Sequence, residues 1–405
     1  MEHLKSFAAN ETSKLKKQVD IIAEHPAFKD EIIRIMPDAH VGRGVCIGFT
    51  STFSDKVIPS IVGADIGCRV SMYETPFHWV DVNEKEKKFL RQFDAVVHSK
   101  VPAGLGIIRT TPNKYANNFW SRFSSLRCFP ALKNVDKISC SMGSLGSGNH
   151  FIALNRAQTH DAVFLTVHTG SRNLGQQVME YYQHRAIENC NSDKKEIKQL
   201  IERLKEEGRR EEIEHQLKNF KSPRIKFSND LCYIEGSDLE DYLHDMTICC
   251  EWSYWNHVSI INSIMNSYGS SFNESKMETC IHNYVDVENH IIRKGAISAR
   301  EGEIGFIPMN MRDGVCRMVG KGNKDWNCSL PHGCGRKMSR KEACDSLDIF
   351  DYEYEMEDVY SSCVNEETID EAPMVYKDPE DVIEISTASG RITGIFPEVY
   401  NFKGV

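Results

Sequence analysis

A single histidine, His332, stands between glycines and basic residues in the stretch Asn327-Cys-Ser-Leu-Pro-His-Gly-Cys-Gly-Arg-Lys-Met-Ser-Arg340. A second basic, glycine-containing run, Arg317-Met-Val-Gly-Lys-Gly-Asn-Lys324, lies just upstream. An imidazole in such a loop can be a nucleophile, because Gly333 and Gly335 let the backbone approach a bulky reactant. Arg336, Lys337 and Arg340 could hold the phosphates of that reactant, arginine through a bidentate fork and lysine as a point charge. A basic turn with an ordinary surface histidine would look the same in isolation. The other reactive groups of the chain decide between the two.

In Gly63-Ala-Asp-Ile-Gly-Cys68, Asp65 and Cys68 lie three apart beside two glycines. A hard oxygen and a soft thiolate on a short turn could grip a borderline divalent ion, and a thiolate can bridge two ions. The run Ser141-Met-Gly-Ser-Leu-Gly-Ser-Gly-Asn-His150 ends in Asn149-His150 and lacks the Gly-Lys-Ser/Thr that closes a Walker loop. His168-Thr-Gly-Ser-Arg-Asn173, with Arg172, follows an apolar run, and Cys280-Ile-His282-Asn-Tyr forms a third histidine cluster. Each histidine alone could equally be a hydrogen-bonding core residue. Asp38 and His40 could share a metal or catalytic site, or bond loop backbone instead.

These groups need elements to hold them. Leu15, Val19 and Ile22 at helical spacing predict a helix over 11–24, ended by Pro26. Ile32–Met36 reads as a short buried strand broken at Pro37-Asp38, with 38–44 a loop and Val45–Phe49 a second strand. Ala162–Val167 predicts a strand that delivers His168, and 291–298 and 305–307 predict strands around the turn at 300–303. Residues 191–226 carry dense Lys and Glu around apolar positions at helical spacing, interrupted by Gly208. This is a charged helical hairpin inserted in the body. Residues 237–265 predict a long, more buried helix whose aromatics are core. The acidic segment 345–371 reads as irregular surface. The fold class is α+β: one large catalytic body of mixed sheets flanked by helices, spanning 1–405.

Composition narrows the function. The net charge of −9 over 405 residues means that a polyanion would have to meet a local basic patch. Fourteen cysteines without a CxxC pair argue against a zinc ribbon or a thioredoxin motif and fit reduced thiols in a cytoplasmic protein. No apolar run reaches membrane-spanning length.

Met36-Pro-Asp-Ala-His-Val-Gly-Arg-Gly44, Val62-Gly-Ala-Asp-Ile-Gly-Cys68, Gly143–His150, His168-Thr-Gly-Ser-Arg-Asn-Leu-Gly175, His282-Asn-Tyr, Arg293-Lys-Gly-Ala, Ser298-Ala-Arg-Glu-Gly-Glu303, His332-Gly-Cys-Gly-Arg336 and Pro373-Met-Val-Tyr-Lys-Asp378 occur in one order along the chain. Together they resemble the RtcB family of RNA ligases. The resemblance runs from about residue 19 to 403 and leaves out mainly the charged hairpin. It implies joining of an RNA 3′-phosphate or 2′,3′-cyclic phosphate to a 5′-hydroxyl in RNA repair or tRNA splicing. The cofactors implied are GTP and two Mn²⁺ ions, and some relatives use an archease as activator. By position, Cys68 would bridge both ions, with Asp65 and His150 completing one site and His168 and His282 the other. His332 matches the histidine that carries GMP, Asn149, Tyr376 and Lys403 match nucleotide contacts, and Arg172 and Arg336 are candidates for positioning phosphates.

The chain departs from the family pattern in four places. Arg69 replaces a glycine after the bridging cysteine, and Ala153 stands where a guanine-reading carboxylate is usual. Asn310 replaces a serine, and Val315 stands at a second nucleotide-facing serine. Relaxed preference for GTP over ATP is the expectation, with Asn310 as a weaker acceptor. Two other readings use the same residues: a metal-dependent phosphodiesterase or end-capping enzyme that does not complete ligation, and a non-catalytic RNA-binding relative.

Overall fold

A computed structural model describes residues 3–82, 87–104, 111–159, 161–221 and 226–404. The chain as far as Glu235 supplies strands β1 (Leu4–Ser6), β2 (Ile33–His40), β3 (Ile47–Thr52), β4 (Lys56–Val57), β5 (Arg69–Glu74), β6 (Phe151–Arg156), β7 (Val163–Thr169) and β8 (Ile234–Glu235). The second half adds β9 (Met277–Asp286), β10 (Ile291–Ser298), β11 (Ile304–Pro308), β12 (Val315–Gly320), β13 (Ser329–Pro331), β14 (Gly390–Phe396) and β15 (Glu398–Lys403). Ten strands form one sheet in the order β1-β2-β3-β10-β9-β5-β7-β6-β15, with β13 beside β10. β11-β12-β14 form a second sheet and β4-β8 a small third. Every pairing in the large sheet is antiparallel except β1 with β2. The α+β body flanked by helices is the architecture observed.

Helices cover the sheet because its strands are apolar on both faces. Helix Ser13–Ala23 starts where the Thr12 side chain accepts from the Leu15 amide, and it buries Leu15, Val19 and Ile22. Helix Ser237–Asn266 is buried along much of its length and packs against helix Asn173–Asn191 and β7. Its Trp252 lies in the core against Phe119 and Phe123. Lower on the same helix, Ile260, Ile261 and Ile264 meet Ile152, Leu154, Leu165 and Val167 of β6 and β7. On another face of β5, Val70 and Met72 pack with the β11-β12-β14 sheet.

Three local expectations are revised. β2 does not break at Pro37-Asp38 but continues to His40, with a register slip against β3 between Ile35 and His40. Pro37 has no N–H to give the ladder, so the strand bulges there. Its carbonyl instead accepts from the Ala9 amide and Lys377 Nζ. The partner strand begins at Ile47, because 41–46 form the turn. The acidic stretch from 345 is folded. A Ser339–Glu342 capping box starts helix Arg340–Ser346, helix Ile349–Glu355 follows, and Tyr352, Met356, Val359 and Ile369 close a core of their own with Met311 and Val375.

The charged segment forms helices Lys194–Glu206 and Ile213–Lys218, with Gly208 turning between them at φ 73°. Leu204 is buried, while residues 222–225 of the expected hairpin lie outside the described residues. No helix among the described residues is long and apolar enough to cross a membrane. No two of the fourteen cysteines are joined in a disulfide.

Trp252 anchors the helix that backs the centre of the sheet. Trp252→Ala should lower the unfolding free energy by about 3–5 kcal/mol, the usual range for emptying a buried aromatic site. Urea denaturation followed by circular dichroism measures it, and a change below ~1 kcal/mol would contradict this packing role.

Candidate metal and nucleophile centre

Four adjacent strands bring the candidate ligands together at one end of the sheet. Cys68 immediately precedes β5, which lies between β7 and β9. β7 places His168 opposite Val70, and β9 places His282 where its amide donates to the Cys68 carbonyl at 2.8 Å. His150 enters just before Phe151 of β6, itself the register partner of His168. Cys68 Sγ lies 3.3 Å from His168 Nε2 and 3.6 Å from His150 Nε2. His168 Nε2 and His282 Nε2 face each other at 3.2 Å, and His150 Nε2 is 2.9 Å from Asp65 Oδ2. The two groups Cys68, His168, His282 and Asp65, Cys68, His150 each gather their ligand atoms within 4.8 Å and share the sulfur.

This spacing fits metal ligation. Donors bound tetrahedrally at 2.0–2.3 Å sit about 3.3–3.8 Å apart, near the separations found here. Burial, with the neighbouring histidines, holds the His168 and His282 imidazoles well below their ordinary pKa, so both keep a lone pair at neutral pH. Burial pushes the Cys68 thiol well up, with Asp65 adding to it, so an ion would have to displace that proton. Burial also acts against the Asp65 carboxylate, yet His150 beside it brings that group down to about 2. Gly170 makes room for it: a Cβ there would stand 1.9 Å from Asp65 Oδ1.

His332 adjoins this cluster, its ring 4.9 Å from that of His282. Its Nδ1 lies 2.7 Å from Asp38 Oδ2. The buried Asp38 side chain orients the ring through Nδ1, and in the tautomer that donates from Nδ1 the lone pair is on Nε2. The close approach depends on Gly335, at φ 72°, where a Cβ would stand 2.0 Å from the Asp38 carbonyl oxygen. His40 bonds the Asp38 carbonyl through Nδ1 rather than joining the ligand group. Sequence reasoning left Asp38 and His40 open as a pair; the geometry separates them. Arg172 starts helix Asn173–Asn191 at φ 60°, an unusual conformation for a non-glycine residue, with Nε 3.2 Å from Ser144 Oγ.

A cavity of about 920 Å³ opens beside these groups, lined by Asn149, His168, His332, Tyr376, Glu398, Asn401 and Lys403 among others. Nothing in the sequence singled out Glu371, because a carboxylate in an acidic run reads as solvated. It is buried, and its Oε2 accepts from Tyr376 Oη at 2.6 Å and Lys403 Nζ at 2.8 Å. Arg336 and Arg340 reach its other oxygen at 3.3 and 2.9 Å. Burial opposes its charge, but Lys403 and Arg340 overcome that and bring the carboxyl to about 2. Arg336 is thus tied to Glu371 and to the Asp370 carbonyl.

The departures from the family pattern also find places. Arg69 points to helix Ser237–Asn266, donating to the Cys250 carbonyl at 2.9 Å. Val315 is packed in the core. The Asn310 side chain is spent locally, its oxygen accepting the amides of Arg312 and Asp313 and its nitrogen donating to Asp313 Oδ2.

Comparison with known proteins follows the same chain-wide pattern. The family described as tRNA-splicing ligase RtcB matches residues 18–128 and 129–401. The RNA-splicing ligase RtcB of Escherichia coli strain K12 is 28% identical over 404 aligned residues, covering 92% of this chain and 90% of that protein. The tRNA-splicing ligase RtcB of Methanococcus maripaludis is 26% identical, covering 88% and 84%. The RNA-splicing ligase RtcB homolog 1 of Entamoeba dispar is 25% identical, covering 88% and 75%.

The shared sulfur separates the ligands' roles. Cys68→Ser should lose metal from both groups, whereas His150→Ala should mainly weaken the one that includes Asp65. Elemental analysis after Mn²⁺ loading and gel filtration reads this directly, and two ions retained by Cys68→Ser would rule out a bridging thiolate.

Proposed function

The chain belongs to the RtcB family, and from that footing we propose that it is an RNA ligase. It would join a 3′-phosphate end, or a 2′,3′-cyclic phosphate end after hydrolysis, to a 5′-hydroxyl, using GTP and two Mn²⁺ ions. The observation that carries this reading is His332, fixed through Nδ1 by Asp38 and set against the Cys68–His168–His282 group.

The chemistry asks little strain of these residues. His332 Nε2 attacks the α-phosphorus of GTP, pyrophosphate leaves, and a phosphoramidate to GMP forms. The Asp38 carboxylate stabilises the imidazolium that develops as the bond forms. An oxygen of the RNA 3′-phosphate then attacks the same phosphorus and returns His332 to neutral imidazole, leaving an RNA–pp–G end. Attack of the 5′-hydroxyl oxygen on the RNA phosphorus releases GMP and completes the phosphodiester, its proton passing to solvent. Cys68, Asp65, His150, His168 and His282 would hold the ions, which supply charge neutralisation at the phosphates and orient attacking and leaving oxygens. Asn149, Tyr376 and Lys403 line the cavity where the nucleotide would lie. With Lys403 and Tyr376 both bonded to Glu371, that carboxylate positions them. Arg172, whose charge acts on Asp65 and Cys68, would position an RNA phosphate beside them.

Incubation with α-labelled GTP and Mn²⁺, followed by a denaturing gel and a sealing assay on defined RNA ends, tests the reading. His332→Ala should fold, keep its metals and form no acid-labile, base-stable adduct, yet seal RNA supplied with a preformed pp–G end. A labelled adduct surviving in His332→Ala moves the nucleophile elsewhere. Product analysis separates ligation from end-capping or phosphodiester cleavage. Asp38→Asn, which keeps the shape but not the charge, should slow adduct formation by about a hundredfold or more, a magnitude typical of losing the partner of a reacting imidazole. Single-turnover labelling rates check it, and a rate within about threefold of the unmodified protein would remove Asp38 from the mechanism.

A further inference from the structure

The cavity has a polar corner that the phosphoryl chemistry leaves unused. Glu398 and Asn401 stand three apart on β15, line the cavity, and are 5% and 1% exposed. Asn401 is the register partner of Ala153 on β6. Asn401 Nδ2 donates to Glu398 Oε2 at 2.7 Å. Asn401 Oδ1 is buried with no hydrogen-bond partner among the described residues. The Asn310 loop closes the corner: its Gly314 packs against the Phe396 carbonyl and the Glu398 amide.

Two adjacent carbonyl-type groups in a buried corner, the Asn401 amide oxygen and the Glu398 carboxyl, suit a ligand edge with two adjacent donors. Among the common bases guanine has that edge, in N1–H and N2–H₂. Adenine would place its N1 lone pair against an acceptor and leave a buried group unpaired. Burial pushes the Glu398 carboxyl well above the usual range, and a ligand bringing two donors would hold it ionised.

We propose that Glu398 and Asn401 read the guanine edge of the nucleotide, supplying from β15 the acceptors that Ala153 on the neighbouring strand lacks. The proposal rests on the nucleotide-transfer reading above. Selection for GTP therefore replaces the relaxed preference expected from Ala153, Asn310 and Val315 alone.

The test compares covalent labelling from α-labelled GTP, ITP and ATP at subsaturating concentration. It uses the unmodified protein, the near-isosteric Glu398→Gln, and Asn401→Ala as a second variant, with circular dichroism and metal content as controls. The unmodified protein should prefer GTP to ATP by about a hundredfold or more, as expected for a site built on base-edge hydrogen bonds, with ITP, which lacks the 2-amino group, in between. Each variant should lower labelling from GTP by about tenfold while leaving that from ATP nearly unchanged. A purely structural role for these residues would depress both nucleotides alike, and that result overturns the proposal. So does a GTP-to-ATP ratio unchanged in both variants, or an unmodified protein that accepts ATP as readily as GTP; these leave the nucleotide-transfer reading intact. Absence of label from every nucleotide overturns both.

Discussion

One sulfur atom sets the layout of this protein. Cys68 Sγ belongs to both candidate ligand groups, so histidines from two directions must reach it. The sheet meets that demand by placing β5 between β7 and β9, with β6 one strand further on. Antiparallel register then delivers His168, His282 and His150 to the same end of the sheet, opposite or beside the start of β5. Helices pack behind these strands, Trp252 and Ile264 among the residues that fix their backing. A slip of one residue in any of these pairings would turn a ligand to the opposite face.

Much of the candidate ligand set is visible in the chain because each member sits in a local pattern that ordinary packing does not need, and the fold brings those residues together. Asp65 and Cys68 flank a glycine on a turn, and His168 ends an apolar strand before Thr-Gly-Ser. The helix over 13–23 and the strand over 163–169 follow from periodicity, and their ends fall close to the expected ones. What could not be read was decided by residues far away. Nothing local shows that β2 runs through Pro37, because the slip that permits it depends on β3 and on Lys377 capping the freed carbonyl. The burial of Glu371 is equally silent in an acidic run. It is stable there only because Lys403, Arg336 and Arg340 converge on it.

The cavity thus has two regions of different character. Near Cys68 and His332 stand the candidate ligands and nucleophile, whose placement depends on strand register. Along β15 and the Asn310 loop the polar groups stand on a strand edge and a turn, tied to the first region mainly through Lys403 and Glu371. Asn310 stands in the second region, while Ala153 lies on β6 in register with Asn401 and so adjoins both.

The contact between His332 and Asp38 joins residues 294 apart in sequence. A ribosome releasing this chain therefore exposes Asp38, Asp65 and Cys68 long before the nucleophile exists in usable form. Until the last third has been synthesised and docked, the imidazole has no carboxylate to fix its tautomer and the ligand shell lacks His282. On the proposed reading the nascent polypeptide is silent toward nucleotide, and labelling of His332 becomes a property of the finished fold alone. A protease cut between the two halves that lets them separate would restore that silence.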